Sequence, residues 1–210
     1  MSAVMLSINP KWCELIANGI KTVEVRKTRP KIETPFKCYI YCTKPKMITK
    51  YVFRPEDYPE YMRPEKPVFC KTPDGSSPFC SEVNGNGKVI GEFVCDCITP
   101  LYNVCTDGWS LLRGGRHEIE KQLVRMACLT EGEFHEYASG QYCFAWHISD
   151  LKIYDKPREL REFKKAGFMT EEDWLAALYP NTHCHYEAWA KRFEVTRPPQ
   201  SWCCVEELQG

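Results

Sequence analysis

Two changes of hydrophobic period within the first 26 residues constrain this chain more than any bulk property. Val4–Ile8 is a short apolar run, and Asn9-Pro10 then supplies a cap followed by proline at the first helical position, where a missing amide hydrogen costs nothing. Trp12, Leu15 and Ile16 share one face at helical spacing, and Gly19 stands where a left-handed helix end is wanted, so a helix is predicted over residues 10–18. From Thr22 to Arg26 the period becomes two: Val23 and Val25 on one face, Thr22, Glu24 and Arg26 on the other. The chain therefore opens as strand, short helix, strand.

The same alternation predicts strands at Phe36–Thr43, Lys88–Ile98 and, as one long element, Tyr142–Tyr154. Residues 44–87, rich in Pro, Gly, Ser and Tyr, keep no period and read as an irregular insertion, a candidate lid. Helices are predicted over 116–128, from the Thr130-x-x-Glu133 capping box to Gly140, from Pro157 to about Lys165, and from Thr170-x-x-Asp173 to a stop at Pro180. A final strand covers Ser201–Leu208. Strands outnumber long helices and their connections are uneven. This favours a single α+β domain over 1–210, a small mixed β-barrel with flanking helices, over a repeating parallel βαβ fold.

Composition narrows the function classes. Hydrophobic content of 43% with 27% charged residues is that of a folded chain. No apolar stretch is long enough to cross a bilayer and no export signal is visible, so a cytoplasmic location and no membrane partner are expected. Thirteen cysteines then read as reduced thiols used as small core residues. Zero formal net charge argues against a protein that coats long nucleic acid, yet residues 1–50 hold ten Lys and Arg against three Glu. That excess points to a small or locally held anionic partner.

The sharpest local motif is Gly19-x-Lys21-x-x-Glu24-x-Arg26. On spacing alone it is a surface ion pair on an exposed sheet face; alternatively, a basic, acidic, basic trio converges on one cleft edge. The stretches Ser7–Trp12 and Gly19–Lys27 resemble the signature of ASCH domains, relatives of the PUA RNA-binding fold. The runs Lys37–Thr43, Val89–Phe93, Phe144–Ser149 and Arg197–Trp202 are similar to the longer bacterial and phage members. The resemblance implies a PUA-like barrel whose cleft, beside Lys21, Glu24 and Arg26, binds RNA or a modified nucleoside. One branch of the family hydrolyses 4-acetylcytidine with a Lys, a Thr and a Glu. Its Lys falls on Lys21, but its Thr falls on Glu24, with Thr22 on the same strand face as the remaining hydroxyl. An amidohydrolase or ribonuclease using Lys21 and Glu24 as catalytic residues is therefore the alternative to a binding protein.

Other candidates follow from strand faces. Arg197, Gln200, Ser201 and Trp202 form a stiff, proline-entered cluster in which the indole either stacks a base or fills the core. His147 and Ser149 share one polar face, as do Tyr41 and Thr43. Cys95-x-Cys97, Cys203-Cys204 and His183-Cys184-His185 lack the paired spacing of a structural zinc site, and no phosphate-cradling glycine loop is present, so neither metal nor cofactor is expected. An exposed aromatic patch in 44–87 would instead mark a protein partner.

Overall fold

Asn9 starts the first helix as its position implies: its side chain accepts the Lys11 N–H at 3.1 Å, and Pro10 occupies the first turn. The computed structural model describes residues 2–44, 87–101, 114–177 and 186–208. Strand β1 (Ser2–Ile8) leads into helix α1 (Pro10–Ala17), and Gly19, at φ +71°, turns the chain into β2 (Val23–Arg26). There follow β3 (Phe36–Cys42), β4 (Val89–Cys95), β5 (Ile98–Leu101), α2 (Gly114–Met126), α3 (Glu131–Ala138), β6 (Cys143–His147), β7 (Ser149–Arg158), α4 (Glu171–Ala177), α5 (Tyr186–Lys191) and β8 (Trp202–Glu206).

The strands form two sheets, one of five in the order β7-β4-β3-β1-β8 and one of three in the order β2-β6-β5. β1 is the hub of the larger sheet, parallel to β3 and antiparallel to β8. Its two faces explain the unbroken apolar run. Val4, Leu6 and Ile8 enter the core shared with Trp146 of the smaller sheet, while Ala3 and Met5 pack on the opposite side with Phe163 and Val195. The far face of the smaller sheet, through Val23, Val25 and Ala145, is covered by Val124 and Ala127 at the end of α2 and by Phe134 of α3. The α+β class is thus observed. Among the described residues the ladders leave two open sheets rather than the single closed barrel that was expected.

Two strand expectations are corrected by one feature. Lys88–Ile98 is two strands, β4 and β5, and Tyr142–Tyr154 is likewise β6 and β7, broken at Ile148. Each first partner lies in a different sheet from its second, and β4 pairs with β7 while β5 pairs with β6. A two-stranded ribbon therefore bends as a unit from one sheet to the other, which alternation cannot reveal because the period survives the bend. The helix expected from Pro157 is also absent: β7 continues to Arg158 and only a single 3₁₀ turn, Leu160–Glu162, follows. β7 is a sheet edge, where a proline lacking an N–H is tolerated.

Helices α2, α3 and α4 keep their expected places within a few residues, while α5 has no counterpart among the expected helices. Thr130 closes the capping box on α3, its hydroxyl accepting the Glu133 N–H while Glu133 accepts the Thr130 N–H at 2.8 Å. Residues 45–86 lie outside the described residues, and with them the body of the 44–87 insertion and any protein-partner surface on it. Its two ends meet, since Gly87 N–H donates to the Cys42 carbonyl at 2.7 Å. No helix among the described residues is long and apolar enough to cross a membrane.

Candidate functional site

Lys21 emerges from the turn after α1 and is 3% exposed; Glu24 and Arg26 on β2 are 6% and 8% exposed. The reading of an exposed ion pair is therefore overturned. Glu24 bridges both cations, one carboxylate oxygen 3.2 Å from Lys21 Nζ and the other 3.0 Å from Arg26 Nη2. Lys21 Nζ also donates to the Ala127 carbonyl at 2.7 Å and lies 5.1 Å from the centroid of the Trp12 ring. Arg26 donates through Nη2 to the Ser7 carbonyl (2.8 Å) and through Nη1 to Ser201 Oγ (3.3 Å). Its Nε is buried and has no hydrogen-bond partner among the described residues.

These three side chains form one wall of a cavity of about 570 Å³. Ser7, Asn9 and Trp12 stand on a second side, and Glu133, Glu136 and Tyr137 of α3 close it from the third. Two cations thus face three carboxylates. Burial opposes ionisation of Glu133, but hydrogen bonds from the Thr130 N–H and hydroxyl outweigh it and hold its carboxyl below the usual range. Burial raises the Tyr137 phenol; Arg26 opposes that and Glu24 reinforces it, so the group stays a neutral donor.

The Glu133 shift carries a consequence for pH. A depressed carboxylate contributes stability that is complete above the unfolded value of about 4.3 and is lost as pH falls through the lower folded value. Thr130→Ala should cost about 1 kcal/mol at neutral pH. Urea unfolding of both proteins from pH 7 to 3 should show the gap narrowing as Glu133 protonates; a gap that widens in acid would contradict this assignment.

The other sequence candidates are scattered. Thr22 does not line the cavity; its N–H ties β2 to the Met126 carbonyl at 3.1 Å. Tyr41, Thr43 and Gln200 line a second groove of about 1220 Å³, which shares Ser7 and Asn9 with the first. Ser201 serves Arg26 from behind. Trp202 is half-buried, its indole N–H donating to Thr28 Oγ1 at 2.9 Å and its ring 6.2 Å from Trp146. Arg197 is exposed and lines neither cavity. His147 and Ser149 sit at the ribbon's bend, His147 Nδ1 against Asp96 Oδ1 at 2.7 Å and Ser149 Oγ donating to the Val94 carbonyl at 2.9 Å.

Sequence reasoning missed the α3 wall and gave Trp12 only a core role. Positions 133, 136 and 137 fall on one helix face at three- and four-residue spacing, a signal masked by the obvious capping role of Glu133. Nine described cysteines are outside any disulfide among the described residues, and six of these are buried; burial pushes the Cys95 thiol up to about 12. No group of three His, Cys, Asp or Glu among the described residues is placed to hold a metal, and His183-Cys184-His185 lies outside them.

Residues 6–71 match the ASCH domain family. No curated protein matches the chain. Among solved structures it is similar to ASCH from Zymomonas mobilis, at 17% identity over 98% of this chain and 88% of that one, with a TM-score of 0.46. A point variant of that protein gives 17% identity, 98% and 91% coverage, and a TM-score of 0.45. The N-terminal domain of Staphylothermus marinus McrB gives 10% identity, 94% and 89% coverage, and a TM-score of 0.33.

Proposed function

Because the chain carries an ASCH domain match over residues 6–71, we propose that it binds a single nucleobase, within RNA or as a modified nucleoside, in the cavity walled by Lys21, Glu24 and Arg26. The observation that carries this reading is the buried trio, two cations bridged by one carboxylate, lining a cavity of about 570 Å³ beside two aromatic rings. That volume is of the size that encloses small ligands. Trp12 and Tyr137 offer π-faces, while Glu133 and Glu136 accept hydrogen bonds from exocyclic amines or ring N–H groups.

The engagement of both cations disfavours a phosphate between them. Lys21 and Arg26 already donate to Glu24 and to main-chain carbonyls, and three carboxylates outnumber them at the cavity. A neutral heterocycle enters; a phosphate stays outside. The amidohydrolase or ribonuclease alternative has a weaker footing. Ser7 supplies a hydroxyl to the wall, but its Oγ is committed to the Pro199 carbonyl at 2.6 Å, and Lys21 is held by two acceptors.

Titrating the protein with the four ribonucleosides, with 4-acetylcytidine and with inorganic phosphate, followed by amide chemical shifts, tests the reading. At least one nucleoside should bind and phosphate should not. Tyr137→Ala, at the half-exposed lip, should weaken that binding about 5- to 100-fold if its ring stacks on the base, with an unchanged melting temperature. Phosphate binding tighter than every nucleoside overturns the proposal, and turnover of 4-acetylcytidine by the native protein moves the hydrolase to first place.

A further inference from the structure

Two cavities meet at Ser7 and Asn9, and they differ in whether their cations are already engaged. Resting on the nucleobase reading above, we propose that the second groove takes the sugar–phosphate backbone on either side of the bound base, so that the ligand is a single strand rather than a free nucleoside. In the first cavity Lys21 and Arg26 are engaged by Glu24 and by main-chain carbonyls, while Lys11 and Lys27 stand over its two aromatic rings. The groove presents Lys44 and Arg161 against Glu159 alone, and Glu159 is already paired with Lys88 at 2.9 Å. Lys44 and Arg161 are exposed and make no ion pair among the described residues. The groove thus offers cations free of ion pairs among the described residues, beside a pocket whose lining cations are already engaged.

The wall itself is built to hold both halves in register. Ser7 accepts Arg26 through its carbonyl on the cavity side, and its hydroxyl donates to Pro199, whose ring with that of Pro198 stiffens the groove. Around the two cations the groove offers neutral polar groups, Thr43 and Gln200, suited to sugar hydroxyls and phosphate oxygens. Tyr41 and Leu160 in its lining are only 4% and 9% exposed, and Pro198 is the exposed apolar residue at its edge. Phosphate contacts position a strand and carry little sequence information, so the base cavity reads and the groove holds. A duplex is disfavoured because a base must leave the stack to reach the cavity.

The experiment compares the four ribonucleosides with the four homotetraribonucleotides, their deoxy counterparts and a short RNA duplex, by calorimetry at three salt concentrations. A tetranucleotide should bind at least about tenfold tighter than its nucleoside. Its affinity should fall with a slope near −1.4 in log–log form, the value for two phosphates on a single strand. The Lys44→Ala/Arg161→Ala double variant should bring the tetranucleotide back to the nucleoside's affinity while leaving the nucleoside unaffected. Equal binding of ribose and deoxyribose strands, or a preference for ribose, both agree with backbone capture and assign the sugar. A tetranucleotide no tighter than its nucleoside, a silent double variant or tighter binding of the duplex overturns the groove while the base site stands. Failure of every nucleoside and strand to bind removes both.

Discussion

Glu24→Ala should lower the free energy of unfolding by about 3–5 kcal/mol, the usual cost of removing one partner from a buried charge cluster. The substitution leaves Lys21 and Arg26, 3% and 8% exposed, facing each other with their shared carboxylate gone. Their remaining acceptors, the carbonyls of Ala127 and Ser7, satisfy hydrogen bonds but cannot neutralise charge. Glu24→Gln keeps the shape and should still destabilise, because the cost is electrostatic rather than steric. Replacing all three residues with apolar side chains of similar volume should recover much of the loss. Urea denaturation of these variants decides the matter. A loss of no more than about 1 kcal/mol for Glu24→Ala would restore the exposed-pair reading that the spacing alone suggested. The consequence for function is direct: variants in this trio unfold the protein as well as altering any ligand, so Tyr137 is the better probe of binding.

Trp146→Ala should cost a similar amount, about 3–5 kcal/mol, for a different reason. Trp146 is fully buried between the two sheets and meets Phe36 edge-on, with ring centroids 5.8 Å apart at 87°. Its removal empties the contact that joins the larger sheet to the smaller. The indole N–H, however, is buried with no partner among the described residues. Trp146→Phe therefore removes an unsatisfied donor along with part of the ring, and should cost clearly less than alanine. Thermal and urea unfolding of the two variants tests this, and a phenylalanine variant that loses as much as the alanine variant would contradict it.

Local features were legible in the sequence to within a residue or two. Asn9-Pro10, Gly19 and the Thr130-x-x-Glu133 box act through neighbours no more than four residues away, so their hydrogen bonds are written in the spacing itself. The period-two pattern of Thr22–Arg26 likewise placed Glu24 and Arg26 on one side of a strand. What that side faces was another matter. Lys21 is tied to a carbonyl 106 positions away and Arg26 to a hydroxyl 175 positions away, and no periodicity in a short window carries such partners. Burial turned an apparent surface pair into a structural cluster, and it did so only because α2, α3 and the C-terminal segment fold back over β2. The bend of the β4–β7 and β5–β6 ribbon has the same origin, since alternation is blind to the sheet in which a strand is paired. It is this bend that separates His147 and Ser149, neighbours on one face in the sequence pattern, onto strands of different sheets. The sequence alone thus determined the capped helix starts and the turn into β2, because those choices are made by adjacent residues. Tertiary packing decided which charges are desolvated and which residues share a cavity, because both depend on segments a hundred or more residues apart.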